Sequence, residues 1–163
     1  MQITKNFTTD EMACSCCGKS DMDDEFMKIL QSIRDEMQRP LKITSGFRCQ
    51  NRNAIISTTG RDGPHTKAKA CDILISGADA MRLFAIAQRH GISGIGLSQK
   101  GPHNKRFCHI DSLTPEEGPR PTVWTYGWMD EMEVIFDLSR NYNIWHASRM
   151  FRGTRKVRIL GKG

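Results

Sequence analysis

The sequence predicts an α+β fold in a single domain. Amphipathic helical patterns and short strand patterns mix along the chain without a regular strand-helix-strand period. The 163 residues suffice for one domain with a full hydrophobic core. A composition of 38% apolar and 26% charged residues is typical of globular proteins and excludes collagen-like and wholly disordered classes.

The first long helix is predicted to start at an acidic run and to end before a proline. Acids within residues 21–24 suit the positive end of a helix, and the apolar residues that follow repeat with helical spacing. Those residues are Phe26, Ile29, Leu30, Ile33 and Met37. Pro40 ends the pattern, and residues 41–44 alternate as a strand.

A polar stretch over residues 46–64 follows this strand, and we expect it to be one long loop. Loops of that length are uncommon unless they carry function. Residues 71–75 then form a predicted buried strand.

A second helix and two further strands complete the predicted domain. The apolar face of the helix consists of Ala80, Leu83, Phe84 and Ala87. Asp79 is the expected N-cap and Gly91 the expected stop. Residues 92–97 and 107–111 are predicted as short strands.

The positive charge is concentrated at the C-terminal end. Six basic residues and no acid lie within residues 149–163, and they account for the formal net charge of +6. A nucleic-acid-binding fold would more often carry a basic face, so no nucleic acid is expected as a partner. We place the domain at residues 1–128 and an appendage at 129–163, with a helix over 129–139 and then a basic tail.

The sequence predicts neither a membrane span nor export. No apolar run approaches the roughly 18 residues that cross a bilayer. The N-terminal residues lack a basic region followed by an apolar stretch, so we expect synthesis in the cytoplasm. Six cysteines in such a chain indicate reduced thiols or metal ligands.

The five histidines indicate where chemistry can occur. His65 closes the long polar stretch, Asp72 lies in the next strand and His109 in a later one. Two imidazoles and a carboxylate leave a fourth position open, which is the pattern of catalytic zinc. His90 closes a predicted helix, where it suits the helix dipole, and His146 lies in the appendage.

Short motifs surround these residues in a fixed order. They are Ser45-Gly46-Phe47-Arg48, Asn53, His65, Ala70-Cys71-Asp72-Ile73, Gly94-Ile95-Gly96, His109-Ile110-Asp111 and Trp124. Together they resemble the motifs of the zinc D-Ala-D-Ala carboxypeptidase family of peptidoglycan peptidases. The resemblance covers residues 7–128 and implies a hedgehog-like α+β fold, with a small antiparallel sheet flanked by helices and one catalytic zinc ion.

The resemblance also implies roles for individual residues. His65, Asp72 and His109 match the zinc ligands, and Arg48 matches an arginine that reaches toward a carboxylate or carbonyl oxygen of the substrate. A guanidinium suits this role because it stays charged and can hold a carboxylate through two hydrogen bonds. His103 resembles a histidine that relatives place near the transition state.

The chain departs from the family pattern at three positions. Gly63 and Ala68 replace the usual Ser and Gly around the first zinc histidine, and Arg106 replaces the acid that serves as general base. Arginine cannot accept a proton. Asp111 is the nearest substitute, because residues two apart on a strand share a face. It is predicted to act as the base or only to orient a zinc histidine, and His103 is the other candidate base.

The cysteines fall into two groups. Cys71 and Cys108 adjoin proposed ligands, but strand alternation turns them away, so they are predicted to be buried thiols. Cys14, Cys16 and Cys17, with Cys49 as a further candidate, could bind a second, structural metal, although the run of three matches no standard zinc knuckle as a whole.

The resemblance implies zinc-dependent hydrolysis of an amide bond in the peptidoglycan stem peptide, of carboxypeptidase or endopeptidase type. Many small members without signal peptides are phage or prophage proteins, so an endolysin or virion-associated enzyme that acts at the cell wall is expected. The alternative, which Arg106 keeps open, is a non-catalytic binding or structural module. The basic tail is a solvated end or a contact with the anionic cell wall.

Overall fold

A mixed sheet lies at the centre of the fold. The computed structural model describes residues 1–126 and the pair 136–137, and within these it contains six strands. They are β1 (Lys42–Ser45), β2 (Ala70–Leu74), β3 (Gly94–Ser98), β4 (Phe107–Asp111), β5 (Thr122–Thr125) and β6 (Phe136–Asp137). Their order across the sheet is β1-β2-β4-β3-β5-β6. The α+β prediction is confirmed.

The helices precede or connect the first strands. They are α1 (Thr9–Met12), α2 (Asp24–Met37), α3 (Gln50–Ile56) and α4 (Ala78–Arg89), and a 3₁₀ turn covers His103–Lys105. The predicted start of α2 is confirmed, since the Asp23 carboxylate accepts the Phe26 N–H at 2.8 Å. Gln38 ends α2 in the left-handed conformation, with φ of 55°.

The two faces of the sheet have different roles, because successive strand residues point to opposite sides. One face packs against α2 and α4. Its core residues, all fully buried, include Cys71, Ile73, Ile95, Cys108 and Ile110 from the sheet and Phe26, Leu30, Ile33, Leu83 and Ile86 from the helices. The other face carries Asp72, His109 and Asp111. The prediction of Cys71 and Cys108 as buried thiols is confirmed.

The sheet is antiparallel, as expected, at every pair except β3 with β5. The exception follows from the path of the chain. β4 ends at Asp111 opposite Gly94, where β3 begins, and β5 begins beside the same Gly94. Since the connection stays at one end of the sheet, β5 must run in the direction of β3.

Two local predictions are wrong. The stretch 46–64 is not one long loop, because α3 lies within it, with Cys49 at its N-cap. Asp79 is not the N-cap of α4. Gly77 occupies that position, and Asp79 lies in the first turn, where its carboxylate pairs with Arg39.

The predicted appendage lies almost wholly outside the described residues. Of the segment 129–139, predicted as a helix, only Phe136 and Asp137 are described, and they form the strand β6 beside β5. The domain boundary near Trp128, His146 and the basic tail over 149–163 fall outside the described part of the chain. Among the helices that are described, none combines the length and apolarity needed to cross a membrane.

Candidate metal centre

The pairing of β2 with β4 places Asp72 beside His109. The two residues are cross-strand partners, and Asp72 Oδ1 lies 2.9 Å from His109 Nδ1. His65 comes from the turn before β2, and its Nε2 lies 3.3 Å from the same carboxylate oxygen and 3.2 Å from His109 Nδ1. The structure thus brings together the three predicted zinc ligands, and all three are buried.

The turn that carries His65 contains two of the departures from the family pattern, and the space available accounts for Gly63. A Cβ at Gly63 would lie 2.5 Å from Thr59 Oγ1, so the loop before the turn leaves no room for a larger residue without a shift. Ala68 has φ of 62°, the left-handed region that glycine adopts more easily. Asn53 holds the loop in place, because its side-chain amide donates to Thr59 Oγ1 and to the Gly60 carbonyl.

Outer hydrogen bonds fix which nitrogen of each imidazole faces the centre. His65 Nδ1 lies 2.7 Å from the Gly46 carbonyl oxygen. A carbonyl can only accept, so Nδ1 carries the hydrogen and Nε2 keeps its lone pair. His109 Nε2 donates in the same way to Asp111 Oδ2 at 3.0 Å, which leaves Nδ1 facing inward. Metal-binding histidines usually donate their other N–H to a carbonyl or carboxylate in this manner.

The buried centre favours positive charge. Burial lowers the pKa of His109, but hydrogen bonds to Asp111 and Asp72 outweigh it and raise the pKa to about 9. Burial raises the pKa of Asp72, yet its bonds to His109 and His65 hold that pKa well below its usual range. Burial keeps the pKa of His65 below its ordinary value despite the nearby Asp72.

The donor set fits a zinc ion. Three acceptor atoms lie within 4.8 Å of one another, and they repel unless a proton or a cation lies among them. Two imidazole nitrogens and a carboxylate oxygen are common zinc ligands, and three protein ligands are typical of sites with an open fourth position.

Asp111 is fully buried and pinned from several sides. Its Oδ1 accepts from Arg120 Nε at 2.8 Å and from the Leu113 N–H at 3.2 Å, and its Oδ2 accepts from Arg120 Nη2 at 2.6 Å and from His109. Burial raises its pKa, but the bonds to His109 and Arg120 hold the pKa well below the ordinary value. A Cβ at Gly94 would lie 2.2 Å from Oδ2, so only glycine leaves room for this carboxylate.

The indole ring of Trp124 packs against the imidazole ring of His109. The two ring centroids are 5.2 Å apart, and the guanidinium of Arg120 lies 5.4 Å from the Trp124 ring. A Cβ at Gly96 would lie 2.6 Å from the indole, so the second glycine of the Gly94-Ile95-Gly96 motif admits the tryptophan. The indole and the carboxylate together hold the orientation of the imidazole.

Arg48 lies between the centre and an open cavity. Its Nε donates to Ser45 Oγ at 2.8 Å, and its Nη2 donates to Asp72 Oδ2. A cavity of about 240 Å³ adjoins Asp72 and is lined by Ser45, Phe47, Arg48, Arg52, Ile56 and Phe107. Two guanidinium groups make the cavity suitable for a carboxylate or a polarised carbonyl oxygen.

His103 is not brought to the centre. It lies in the 3₁₀ turn, and its Nδ1 is 3.4 Å from Ser76 Oγ. Ser76 is four residues beyond Asp72, which corresponds to about 13 Å of extended chain. His103 lines a different cavity, together with Arg39 and Asp79, so in this structure its imidazole does not lie over the centre.

Arg106, at the position of the usual acid, bonds within its own loop. Its Nε donates to the Gly101 carbonyl at 2.9 Å. Within residues 1–126, Asp111 is the only carboxylate besides the ligand Asp72 that contacts either ligand histidine. The contacts of Asp111 are those of a residue that orients His109, which is the alternative role that the sequence left open.

The comparison with protein families agrees with this geometry. The model of a family described as Peptidase M15 matches residues 5–111, more than half of the chain. The chain belongs to the Peptidase M15 family. M15 peptidases depend on zinc, so membership implies a metallopeptidase, and His65, Asp72 and His109 form a group that could hold the ion. The comparison with curated proteins found no match.

The sequence did not reveal three parts of the M15 site. Arg120, which holds Asp111, follows the last matched residue in a proline-rich connection that carries no periodic pattern. The Gly46 carbonyl is a backbone atom, so no residue type signals it. Arg52 lines the cavity because α3 lies where the sequence predicts a loop.

Replacing His109 with alanine should remove one zinc ion per chain. The variant loses one of three ligands and leaves Asp111 without its imidazole partner. Elemental analysis after dialysis against metal-free buffer measures the loss. His90→Ala is the matched control, since His90 pairs with Glu36 at the end of α4, away from the centre. Unchanged zinc in a folded His109→Ala variant would show that this ligand is wrongly assigned.

Proposed function

We propose that this M15 peptidase hydrolyses an amide bond in the stem peptide of peptidoglycan. The observation that carries the proposal is the buried centre of His65, Asp72 and His109, of which Asp72 lines an open cavity that also holds two arginines. The sequence resemblance to peptidoglycan peptidases supplies the substrate class. The setting we infer is lysis of the bacterial cell wall, by a phage endolysin or a virion-associated enzyme.

Each residue has a task in this reaction. A zinc ion bound by the three ligands supplies a water of lowered pKa and polarises an amide carbonyl. Arg48 fixes Asp72 through one nitrogen and lines the cavity, where it can hold a substrate carboxylate or carbonyl oxygen. Arg52 adds a second positive charge to that cavity. A stem peptide offers such carboxylates, so its charge complements that of the cavity.

A non-catalytic module that keeps the fold is the second candidate. The observation that favours it is Arg106, which stands where relatives carry the acid and bonds to Gly101 instead. A module of this kind would retain zinc and bind peptidoglycan without cutting it.

Incubation of the full chain with purified peptidoglycan separates the two candidates. We expect clearing in a zymogram, and mass analysis of the products then distinguishes carboxypeptidase from endopeptidase cleavage. A chelator should abolish clearing and added zinc restore it, while His109→Ala should stay inactive. Zinc-loaded, folded protein that binds peptidoglycan but releases no product would contradict the enzymatic proposal.

We further propose Asp111 as the positioning residue of His109. The change Asp111→Asn keeps the shape but removes the charge that holds the imidazole, so zinc affinity should fall by about 10- to 100-fold. Cleavage should recover when zinc is in excess. Glu117→Gln is the matched control, because it makes the same chemical change at a surface ion pair with Lys69.

A general-base role for Asp111 makes a different prediction for the same variant. The rate would then remain lower by about 10² to 10⁴ even when zinc saturates the site. Comparing cleavage rates across a zinc titration decides between the two roles. Circular dichroism checks that the variant stays folded, because Arg120 has lost its charged partner.

The basic tail is proposed to contact the anionic cell wall. Replacing the six basic residues within 149–163 by glutamine keeps the tail length and removes the excess charge. We expect weaker binding to isolated walls in low salt, no difference in high salt because exposed charges are screened, and unchanged zinc content. Equal wall binding by both proteins in low salt would show that the tail charge has no such role.

A further inference from the structure

A second cluster of metal-binding side chains lies outside the peptidase centre. The sulfur atoms of Cys14, Cys17 and Cys49 lie within 4.8 Å of one another, and the peptidase centre uses none of them. Cys14 is buried, Cys49 is partly buried and Cys17 is exposed. Cys16, directly before Cys17 in the chain, carries a further exposed thiol outside this group of three.

A tight turn brings Cys14 and Cys17 together. The Cys14 N–H donates to the Lys19 carbonyl at 2.7 Å, and the Gly18 N–H donates back to the Cys14 carbonyl at 2.8 Å. Gly18 has φ of 72°, a conformation that glycine adopts readily. The run 14–17 matches no standard knuckle as a whole, but the pair that the structure selects has two residues between its cysteines, a spacing common in zinc sites.

Backbone contacts, rather than sulfur atoms, bring the segment that carries Cys49 to this turn. The Phe47 N–H donates to the Met12 carbonyl at 2.8 Å, and a Cβ at Gly46 would lie 2.7 Å from the Met12 Cα, so the two segments are in direct backbone contact. Cys14 and Cys49 are 35 residues apart along the chain, and the backbone contact between their segments holds their thiols together.

Backbone N–H groups point at two of the sulfur atoms. The Cys49 N–H lies 3.4 Å from Cys14 Sγ, and the Arg52 N–H lies 3.4 Å from Cys49 Sγ. Burial raises the pKa of Cys14, but the N–H groups of Cys49, Cys16 and Cys17 outweigh it and lower the pKa to about 7. Donors of this kind stabilise a thiolate, which is the form that binds metal.

We propose that Cys14, Cys17 and Cys49 bind a structural zinc ion, with Cys16 as the fourth ligand. Sulfur atoms around a tetrahedral zinc ion are about 3.8 Å apart, as follows from a Zn–S distance of about 2.3 Å. The sulfur atoms of Cys14, Cys17 and Cys49 already lie within 4.8 Å of one another. Each thiol that binds releases one proton, and four sulfur ligands are typical of closed structural sites.

This site would fasten the N-terminal segment to the loop that serves the peptidase centre. Cys49 directly follows Arg48, and the same loop provides the Gly46 carbonyl that orients His65. The zinc ion would thus hold residues 12–18 against residues 45–49 without touching the reacting groups. The inference does not rest on the proposed function, since a non-catalytic module would need the same fastening.

Zinc counting on single variants tests the site. The full chain, purified with a thiol reductant and without added metal, should contain close to two zinc ions. Cys17→Ser, a change at an exposed position, should retain about one, and so should His109→Ala. The control Lys19→Ala alters the same turn but keeps its backbone and its thiols, so it should retain both.

The pattern of losses separates this proposal from the peptidase proposal. Loss of zinc in Cys17→Ser but not in His109→Ala supports the thiol site and contradicts the peptidase centre. A parent protein with one zinc ion that Cys17→Ser retains overturns the thiol site.

Cobalt substitution in the His109→Ala background provides an independent readout. We expect a sulfur-to-cobalt charge-transfer band that disappears when Cys49→Ala is added. Its absence from the folded single variant, or a disulfide among these cysteines in protein kept under reductant, would equally overturn the proposal.

Discussion

The structure depends on the convergence of three acceptor atoms in a buried pocket beside an open cavity. His65 Nε2, Asp72 Oδ1 and His109 Nδ1 lie about one hydrogen-bond length apart, and none of them can donate to another while both imidazoles are neutral with the hydrogen on the outer nitrogen. Such an arrangement is unfavourable unless a proton or a cation lies among them, because buried polar groups without partners cost of the order of 2–7 kcal/mol. The surrounding hydrogen bonds hold these atoms in place: His65 bonds to the Gly46 carbonyl and His109 bonds to the Asp111 carboxylate.

Successive side chains of each strand point to opposite faces of the sheet, so one face packs against the helices and the other carries the metal centre. Neighbouring residues such as Cys71 and Asp72 serve the helical core and the metal centre respectively, although they are adjacent along β2. The two glycines of β3 extend the same logic, since a side chain at Gly94 would displace Asp111 and one at Gly96 would displace Trp124. Gly94 and Gly96 are therefore required on the face of the sheet that carries the metal centre, although larger residues there would bury more apolar surface.

Much of this could be predicted from residue patterns. The start of α2, the strand of residues 107–111 and the meeting of the three ligands follow from helical spacing, from strand alternation and from the family motifs. The pattern does not indicate α3, because the helix is short and its apolar residues 54–56 are consecutive, so they form no apolar stripe. The position of His103 beside Ser76 could not be predicted, since distance along the chain says little about which edge of a sheet a loop reaches. The partnership of Arg120 with Asp111 depends on a tertiary contact across a connection without pattern.

The most direct test of the central claim is the position of the metal in a crystal of the purified protein, measured by anomalous scattering at the zinc edge. The account predicts a zinc peak at about 2.0–2.2 Å from His65 Nε2, an Asp72 oxygen and His109 Nδ1. His65 Nδ1 and His109 Nε2 should still bond to Gly46 and Asp111. An occupied site in which either imidazole binds through its other nitrogen, or a crystal grown with zinc that leaves the pocket empty, would contradict it.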